Sequence, residues 1–376
     1  MRSLHLIKAV GIAGAETHLL ALLPALRAFG AESTVLILED PRRPQSALRE
    51  RFEAVGIPVS ILPIRWHLDP ALPAGLEAVL KREPFDILHA HLPHGEVYGE
   101  IAMRAFPARK FVISRHNDDR FRRWLPLRPV FAPSLRRADR IIAISQAVRR
   151  FLVEVEGAAA EKVEVIPYGL DAEAYERSAH PGSFRREIGA KAEPIVGFVG
   201  RLTRQKGVDV LLRAFAHVEK RIPDARLVLA GDGPDRPALE QLARSLGLRR
   251  VMFLGWRADI ADIMADVSLL AVPSRWEGFG LVALEAMALG KPVVAARVSA
   301  LPEIVVAGET GLLVDPGRPG LLAEALQALL SDPARAEGMG RAGRDRVRKE
   351  FPVERMAQRT AEEYSKIALA SKNGKG

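Results

Sequence analysis

The sequence predicts an α/β protein with two domains, each built around a parallel sheet. Short apolar runs alternate with amphipathic helical patterns along most of the 376 residues, which is typical of repeated strand–helix–strand units. This length suits two domains with a core each. Residues 168–191 interrupt the alternation with three glycines, a proline and no strand pattern. We therefore predict a linker there, between domains at residues 1–178 and 179–350.

Thirteen segments have the composition of buried strands. They are residues 4–10, 33–38, 58–62, 85–90, 110–114, 140–144, 162–166, 194–200, 226–230, 251–254, 267–271, 292–296 and 311–314. Helical patterns lie between most of them, for example at residues 16–29, 208–221, 236–246, 280–289 and 321–330. A further helical segment is predicted over residues 351–370, followed by a disordered tail at residues 371–376.

The composition excludes several classes of protein. The chain has no cysteine, which excludes disulfides, thiolate metal sites and cysteine nucleophiles. No apolar run reaches the ~18 residues of a membrane span, and the N-terminus has the pattern of a strand rather than a signal peptide, so we expect a cytoplasmic protein. The net charge of +9 is concentrated in residues 101–150, which hold 13 Lys and Arg against 3 Asp. Such a localised excess predicts an anionic partner or surface.

The most informative motif is a pair of glutamates, Glu277 and Glu285, separated by a glycine-rich turn and an apolar run. On one helix they would lie about 12 Å apart along the axis and on the same face. That exceeds the ~5 Å separation in retaining glycosidases and suits two carboxylates that hold opposite ends of an elongated ligand. The turn between them would direct backbone N–H groups at an anion. The motif therefore predicts a nucleotide-diphospho-sugar ligand.

Two further loops follow predicted strands, where open α/β sheets bind their ligands. In the first, Gly200 precedes Arg201 and Lys206. The planar guanidinium of arginine and the compact ammonium of lysine both suit a phosphate. The alternative is a basic loop that is only solvated. In the second, Gly11 and Gly14 join the first strand to the first helix. Small residues let a ligand approach the backbone, although a plain tight connection would look the same.

These motifs resemble those of retaining glycosyltransferases of family 4, which have the GT-B architecture of two Rossmann-like domains facing each other across a cleft. The similarity extends over essentially the whole chain. It rests on Glu-x7-Glu within Pro-Ser-x-x-Glu-Gly-Phe-Gly-Leu-x-x-Leu-Glu-Ala-Met-Ala-x-Gly-x-Pro-Val-Val-Ala, on Gly-Arg-Leu…Lys-Gly at residues 200–207, on Gly-Asp-Gly-Pro at 231–234, and on Ile-Pro-Tyr-Gly-Leu-Asp at 166–171.

The resemblance implies roles for residues of the second domain. Arg201 and Lys206 would neutralise the donor diphosphate, beside Gly200. Glu277 would contact the transferred sugar, and Glu285 would bind the ribose hydroxyls. The backbone amides that would hold sugar and phosphate are those of Phe279, Gly280 and Leu281.

For the first domain, the resemblance implies that His116 contacts the sugar and that Gly14 lets the first loop approach the diphosphate. It also implies that the last helix crosses back to pack on this domain. Two positions depart from the family pattern. Ala13-Gly14 stands where Gly-Gly is usual, and Tyr168 where Asn is common.

Histidines also surround the predicted strand at residues 85–90. The spacing of His89, His91 and His94 is compatible with a metal, but no thiolate or well-placed carboxylate accompanies them, so we expect His91 and His94 to line the acceptor cleft. No Asp-x-Asp motif follows a strand convincingly. We therefore predict catalysis without a metal or cofactor, in which cationic side chains and a helix N-terminus stabilise the leaving diphosphate.

The basic segment has two interpretations. Its members are Arg115, Arg120, Phe121, Arg122, Arg123, Trp124, Arg128, Arg136 and Arg137. They form either a solvated face or a contact with an acidic membrane surface, where basic and aromatic side chains both contribute. Nucleic acid is disfavoured because no binding motif is present.

We expect a retaining enzyme that moves a sugar, with a UDP-sugar favoured over GDP- or ADP-sugars, to a hydroxyl of a cell-envelope or lipid-linked glycan of the lipopolysaccharide type. The alternative is a nucleotide-sugar epimerase of the same architecture. A catalytically silent sugar-binding module is disfavoured because Glu277, Glu285, Arg201, Lys206 and His116 are all present.

Overall fold

The computed structural model describes residues 1–9, 11, 14–66, 69–118, 122 and 127–373. The chain divides into two compact units. Unit 1 comprises Met1–Gly169 together with Val353–Gly376, and unit 2 comprises Leu170–Pro352.

Unit 1 contains a seven-stranded sheet in the order β3-β2-β1-β4-β5-β6-β7, with every neighbouring pair parallel. The strands are β1 (Arg2–Lys8), β2 (Glu32–Glu39), β3 (Val59–Pro63), β4 (Ile87–His91), β5 (Lys110–Arg115), β6 (Arg140–Ala143) and β7 (Val163–Val165). The strand order reverses between β1 and β4. Their carboxyl ends therefore flank the crevice where sheets of this kind bind ligands.

Six α-helices connect these strands within the part of unit 1 that the structure describes. They are α1 (Gly14–Leu26), α2 (Ser46–Ala54), α3 (Leu72–Arg82), α4 (Leu92–Met103), α5 (Arg128–Arg137) and α6 (Gln146–Arg150). Helix α1 shows how the pattern determines packing: Leu19, Leu22, Leu23 and Leu26 recur at helical spacing and are fully buried against the sheet.

Unit 2 contains a six-stranded parallel sheet in the order β10-β9-β8-β11-β12-β13. The strands are β8 (Ile195–Val199), β9 (Arg226–Ala230), β10 (Val251–Gly255), β11 (Leu269–Val272), β12 (Val293–Ala296) and β13 (Gly311–Val314). The helices are α7 (Ala172–Ser178), α8 (Ser183–Glu187), α9 (Val208–Arg221), α10 (Arg236–Ser245), α11 (Ile260–Asp266), α12 (Leu281–Ala288), α13 (Leu301–Ile304), α14 (Pro319–Leu330) and α15 (Pro333–Glu350). Here the order reverses between β8 and β11, so the loops after these two strands meet.

The chain finally returns to unit 1 as α16 (Val353–Asn373). Met356, Ala357 and Tyr364 of this helix are buried in the same core cluster as the apolar face of α1. None of the helices formed by the described residues is both long enough and apolar enough to cross a membrane.

Every predicted strand is present, and the predicted α/β class with two parallel sheets is confirmed. Two boundaries were wrong. The predicted linker contains α7 and α8. In α7 the Tyr175 hydroxyl donates to Met264 Sδ at 3.5 Å. At the start of α8 the Asp266 carboxylate accepts hydrogen bonds from Gly182 N and Arg185 N at 2.6 and 2.9 Å. The division therefore falls after Gly169 rather than after residue 178. Residues 371–373, predicted to be disordered, belong to α16, and 374–376 lie outside the described residues.

Candidate functional site

The two loops of unit 2 that follow β8 and β11 are joined by several hydrogen bonds. Arg275 N donates to Gln205 O at 2.7 Å, and Gln205 Nε2 donates to Trp276 O at 3.2 Å. The Arg275 guanidinium also binds both carboxylate oxygens of Asp209 at 2.7 and 2.8 Å, the bidentate geometry that fixes both partners. These hydrogen bonds fix the two loops to each other.

Two glycines make this arrangement sterically feasible. Gly207 has a φ of +66°, and a Cβ there would lie 2.2 Å from the carbonyl oxygen of Pro273. Gly280 precedes α12 with a φ of +102°, and its Cβ would lie 2.7 Å from a Leu301 methyl carbon. Since L-residues with side chains are strained at such φ values, the spacing of glycines in both motifs follows from the backbone path.

The joined loops bring Lys206 and Glu277 into contact. The Lys206 Nζ donates to Glu277 Oε2 at 2.6 Å, and Ser274 Oγ donates to the same oxygen at 3.1 Å. Glu277 is only 8% exposed. An ammonium and a carboxylate therefore share a largely desolvated position at the carboxyl ends of the two central strands, where charge–charge interactions are stronger than in water.

Glu285 lies on α12, whereas Glu277 lies in the preceding loop. The 12 Å separation along a helix axis therefore does not apply to this pair. Glu285 is partly buried, and this burial raises the pKa of its carboxyl to about 7. Tyr175 of α7 lies nearby. The pKa of its phenol is raised mainly by burial and, to a smaller extent, by the negative charge of Glu285. A carboxyl with such a pKa changes charge near neutral pH.

The remaining predicted donor residues surround this pair. Phe279 and Leu281 flank Gly280 at the start of α12, whose first turn has no side-chain cap and so directs N–H groups towards the loop ends. Arg201 follows Gly200 and is exposed, with no ion pair to any residue that the structure describes. It is therefore available to a ligand.

Unit 1 has a cluster of buried histidines on one face of its sheet. His5 of β1 is in register with His89 of β4, and Ile7 with His91. One ring nitrogen from each of these three histidines lies within 4.8 Å of the other two, and all three side chains are fully buried. Burial lowers the pKa of His5 to about 3 and those of His89 and His91 well below the usual value, so the rings are neutral at pH 7. Neutral imidazoles could hold a metal, but each of these nitrogens also has a hydrogen-bond partner in the protein.

His116, just after β5, joins this cluster. Its Nε2 is 2.9 Å from His91 Nδ1, and its Nδ1 is 2.6 Å from the Tyr168 hydroxyl. Burial, and then the charge of Arg115, lowers the pKa of His116 to about 3. The prediction that His91 lines the acceptor cleft is wrong for direct contact with an acceptor, because its side chain is fully buried between His5 and His116.

His94 and Gly14 lie at the carboxyl ends of the same strands. His94 is in the first turn of α4, where its Nε2 is 3.2 Å from the ammonium of Lys8. Leu92, between His91 and His94, has a φ of +62°, a strained conformation that is concentrated at functional sites. A Cβ on Gly14 would meet no described atom within 4 Å, so packing does not require glycine there. Ala13 lies outside the described residues.

Known proteins match both units. The family "Glycosyltransferase Family 4" matches residues 12–174, and "Glycosyl transferases group 1" matches residues 183–346. The alpha-maltose-1-phosphate synthase of Mycolicibacterium smegmatis is 33% identical over 326 residues, which is 79% of this chain and 83% of that protein. The chain belongs to the group 1, family 4 glycosyltransferases. The predicted family and enzyme class are thereby confirmed.

Two further known proteins are similar to this glycosyltransferase. The crystal structure of Anabaena HepE in complex with UDP and glucose has a TM-score of 0.85 and 28% identity, and the match covers 97% of this chain and all of that one. This match confirms the GT-B fold with two Rossmann-like domains. The D-inositol 3-phosphate glycosyltransferase of Nocardia farcinica is 42% identical over 214 residues, which is 54% of this chain and 47% of that protein.

The structure corrects the interpretation of the basic segment in this glycosyltransferase. Arg115 and Arg122 are 1% exposed and form ion pairs with Glu96 at 3.0 and 3.1 Å; both also pair with Glu156, at 2.6 and 3.5 Å. They are therefore structural and do not face a partner. Of the other predicted members, Arg128 and Arg136 are exposed, Arg137 pairs with Asp139 at 3.6 Å, and Arg120, Phe121, Arg123 and Trp124 lie outside the described residues.

Sequence reasoning also missed two features of the glycosyltransferase. His5 was not recognised because a single histidine in an apolar strand carries no motif. A signal was available in the alternation of His89 and His91, which places both side chains on one face of β4. Two histidines on a buried face indicate that a neighbouring strand supplies hydrogen-bond partners for them. Glu96 was missed because a carboxylate within a helix usually faces solvent.

Proposed function

We propose that this glycosyltransferase moves a sugar from a UDP-sugar to a hydroxyl acceptor with retention of the anomeric configuration. The contact between Lys206 and Glu277 carries the proposal, because it places a cation for the diphosphate beside a carboxylate for the sugar. UDP is the proposed nucleotide because HepE, with which the chain shares its fold and 28% of its residues, was crystallised with UDP and with UDP-glucose.

The proposed catalysis depends on charges of the chain itself. When the bond to the sugar breaks, negative charge develops on the leaving diphosphate. Arg201, the Lys206 ammonium and the N–H groups at the start of α12 supply the counter-charge, and preorganised groups of this kind stabilise a transition state effectively. Glu277 accepts hydrogen bonds from the transferred sugar, and Glu285 from the ribose. His116 is a further proposed sugar-binding residue.

We propose that no metal takes part. The cations already present at the strand ends supply the role that a divalent ion would have at a diphosphate. Dialysis against EDTA should leave the rate of UDP release unchanged, with a metal-dependent transferase as the assay control. A loss of activity that Mg²⁺ or Mn²⁺ restores would overturn this part of the proposal.

For the acceptor we propose a cell-envelope or lipid-linked glycan. Exposed Arg128 and Arg136, with exposed Val130 between them on α5, suit a contact with acidic headgroups. A phosphorylated sugar or polyol is the second candidate, favoured by the names of the M. smegmatis and N. farcinica relatives and by Lys8 beside His94. Both acceptors are hydroxyl compounds with a nearby anionic group.

The test is a panel of UDP-, GDP- and ADP-sugars with phosphorylated sugars, inositol phosphate and lipid-linked glycans as acceptors. Released nucleoside diphosphate reports turnover, and the anomeric proton coupling in the NMR spectrum of the product reports retention. Incubation with donor alone distinguishes the epimerase, which would convert it. Glu277→Gln should lower kcat on the order of 100-fold, whereas the exposed Glu309→Gln is the matched control. An inverted product, or donor conversion without an acceptor, would contradict the proposal.

A further inference from the structure

An unbroken chain of hydrogen bonds runs through unit 1 from the backbone to His116. Ser3 Oγ donates to the Glu32 carbonyl at 3.4 Å and lies 3.1 Å from His5 Nε2. His5 Nδ1 lies 3.0 Å from His91 Nε2, and His91 Nδ1 lies 2.9 Å from His116 Nε2. Each of the three rings therefore uses both of its nitrogens.

Because the three rings are neutral, each carries one N–H group and one bare nitrogen. Two facing nitrogens form a hydrogen bond only when one donates and the other accepts. If the proton of His116 is on Nε2, then His91 and His5 must carry theirs on Nε2 as well. In the opposite arrangement all three rings carry the proton on Nδ1. Any mixture of the two arrangements leaves two N–H groups or two lone pairs facing each other in a buried site.

One end of the chain favours one direction. At the Ser3 end the hydroxyl lies 3.0 Å from Ser33 Oγ and 3.4 Å from the Glu32 carbonyl oxygen. Its single proton can be used at either oxygen, and His5 Nε2 can then donate to Ser3 Oγ. At the other end the Tyr168 phenol, an acidic hydroxyl, lies 2.6 Å from His116 Nδ1 and is the natural donor to it.

We propose that His5 is a positioning residue, which acts through His91 to fix the proton of His116 on Nε2 and leave Nδ1 as the acceptor. The inference rests on the proposed role of His116 in binding the donor sugar. His116 Nδ1 then receives a hydrogen bond from a sugar hydroxyl in exchange for that of Tyr168. The orientation of a ligand-binding ring is thus set by a residue two hydrogen bonds away that never touches the ligand.

The chain offers a matched control in His89. This histidine is also fully buried, lies opposite His5 in the sheet register and carries two hydrogen bonds, to Tyr364 OH at 2.6 Å and Ser114 Oγ at 2.8 Å. Neither of these hydrogen bonds is to His5, His91 or His116. His5→Phe and His89→Phe therefore cause similar losses of packing and hydrogen bonding, but only the first removes the acceptor of His91.

The experiment is long-range ¹H–¹⁵N NMR of the full chain with ¹⁵N-labelled histidine, which distinguishes protonated from bare ring nitrogens. The wild-type protein should show His5, His91 and His116 all protonated on Nε2. His5→Phe should move the proton of His116 to Nδ1 and raise KM for the donor about tenfold, the loss of roughly one hydrogen bond. His5→Gln, whose amide both donates and accepts, should restore the wild-type pattern and KM.

The outcomes are decisive in both directions. An unchanged His116 spectrum in His5→Phe, or the same change in His89→Phe, overturns the proposal. If His5→Phe does not fold, Ser3→Ala serves, since it keeps the His5 ring, removes the acceptor of His5 Nε2 and should shift the His116 pattern in the same direction. If His116→Ala leaves donor use unchanged, the role of His116 in the proposed function fails, while the NMR result still decides whether His5 sets its proton.

Discussion

Glu285 should make donor binding depend on pH. Burial raises the pKa of its carboxyl to about 7 in the ligand-free protein, and hydroxyls of a ribose bind better to the ionised form. About one molecule in ten is ionised at pH 6 and about nine in ten at pH 8, so the apparent Kd should fall about tenfold over this range.

The assay is isothermal titration of UDP-glucose between pH 6 and pH 8. The phosphates of this ligand are both diesters and do not titrate in the range, unlike the terminal phosphate of UDP. Glu285→Gln should bind more weakly and without the pH dependence. Equal affinities of the wild-type protein at pH 6 and pH 8, or the same dependence in Glu285→Gln, would refute the reasoning.

The same pKa has a consequence for stability with a definite sign. The folded protein retains a proton on Glu285 up to about pH 7, whereas the unfolded chain releases it near the ordinary glutamate pKa of 4.5. Stability is therefore full at low pH and is lost as the pH rises between these values, by about 3 kcal/mol at 1.36 kcal/mol per unit. Glu285→Gln should raise the free energy of unfolding at pH 8, measured in urea, and leave it nearly unchanged at pH 5.

Three further predictions concern the loops and the buried ion pairs. Lys206→Ala should lower kcat on the order of 100-fold, whereas exposed Arg204→Ala, two residues away, should have little effect; similar rates for the two variants would contradict the assignment. Arg115→Met should lower the free energy of unfolding by about 3–5 kcal/mol, since the buried carboxylates of Glu96 and Glu156 then share the single charge of Arg122. The exposed Arg136→Met should change it little, and urea titration of both variants decides. Gly207→Ala should cost at least 1–2 kcal/mol through its φ alone and lower donor affinity, and an unchanged melting temperature would count against the loop geometry.

The sequence was sufficient to predict where the strands lie, because buried parallel strands are short, apolar and bounded by turns. The resemblance to the family also implied that Lys206 and Glu277 act on one ligand. The sequence could not show that the strands before them are neighbours in the sheet, which is a property of strand order and not of spacing. The direct contact between these side chains, 71 residues apart, is therefore a result of the structure.

Residues whose role depends on a distant partner were the hardest to predict. Arginine is usually exposed, so Arg115 and Arg122 were assigned to a surface, and only their contacts with Glu96 show that they are buried. Each histidine of the cluster, considered alone, would likewise be interpreted as an ordinary structural residue. Their connection through hydrogen bonds arises from the register between β1 and β4, which the sequence does not contain.

The return of the chain to unit 1 as α16 has a consequence for synthesis. Unit 2 is one continuous stretch, so it can fold as soon as it has left the ribosome. Unit 1 cannot, because Met356, Ala357 and Tyr364 complete its core and are made only after residue 352. Until then α1 and the central strands present an apolar surface to solvent or to a chaperone. The unit that is synthesised first is thus the last to become stable, and deletion of the final helix would damage the end of the protein that is farthest from it in sequence.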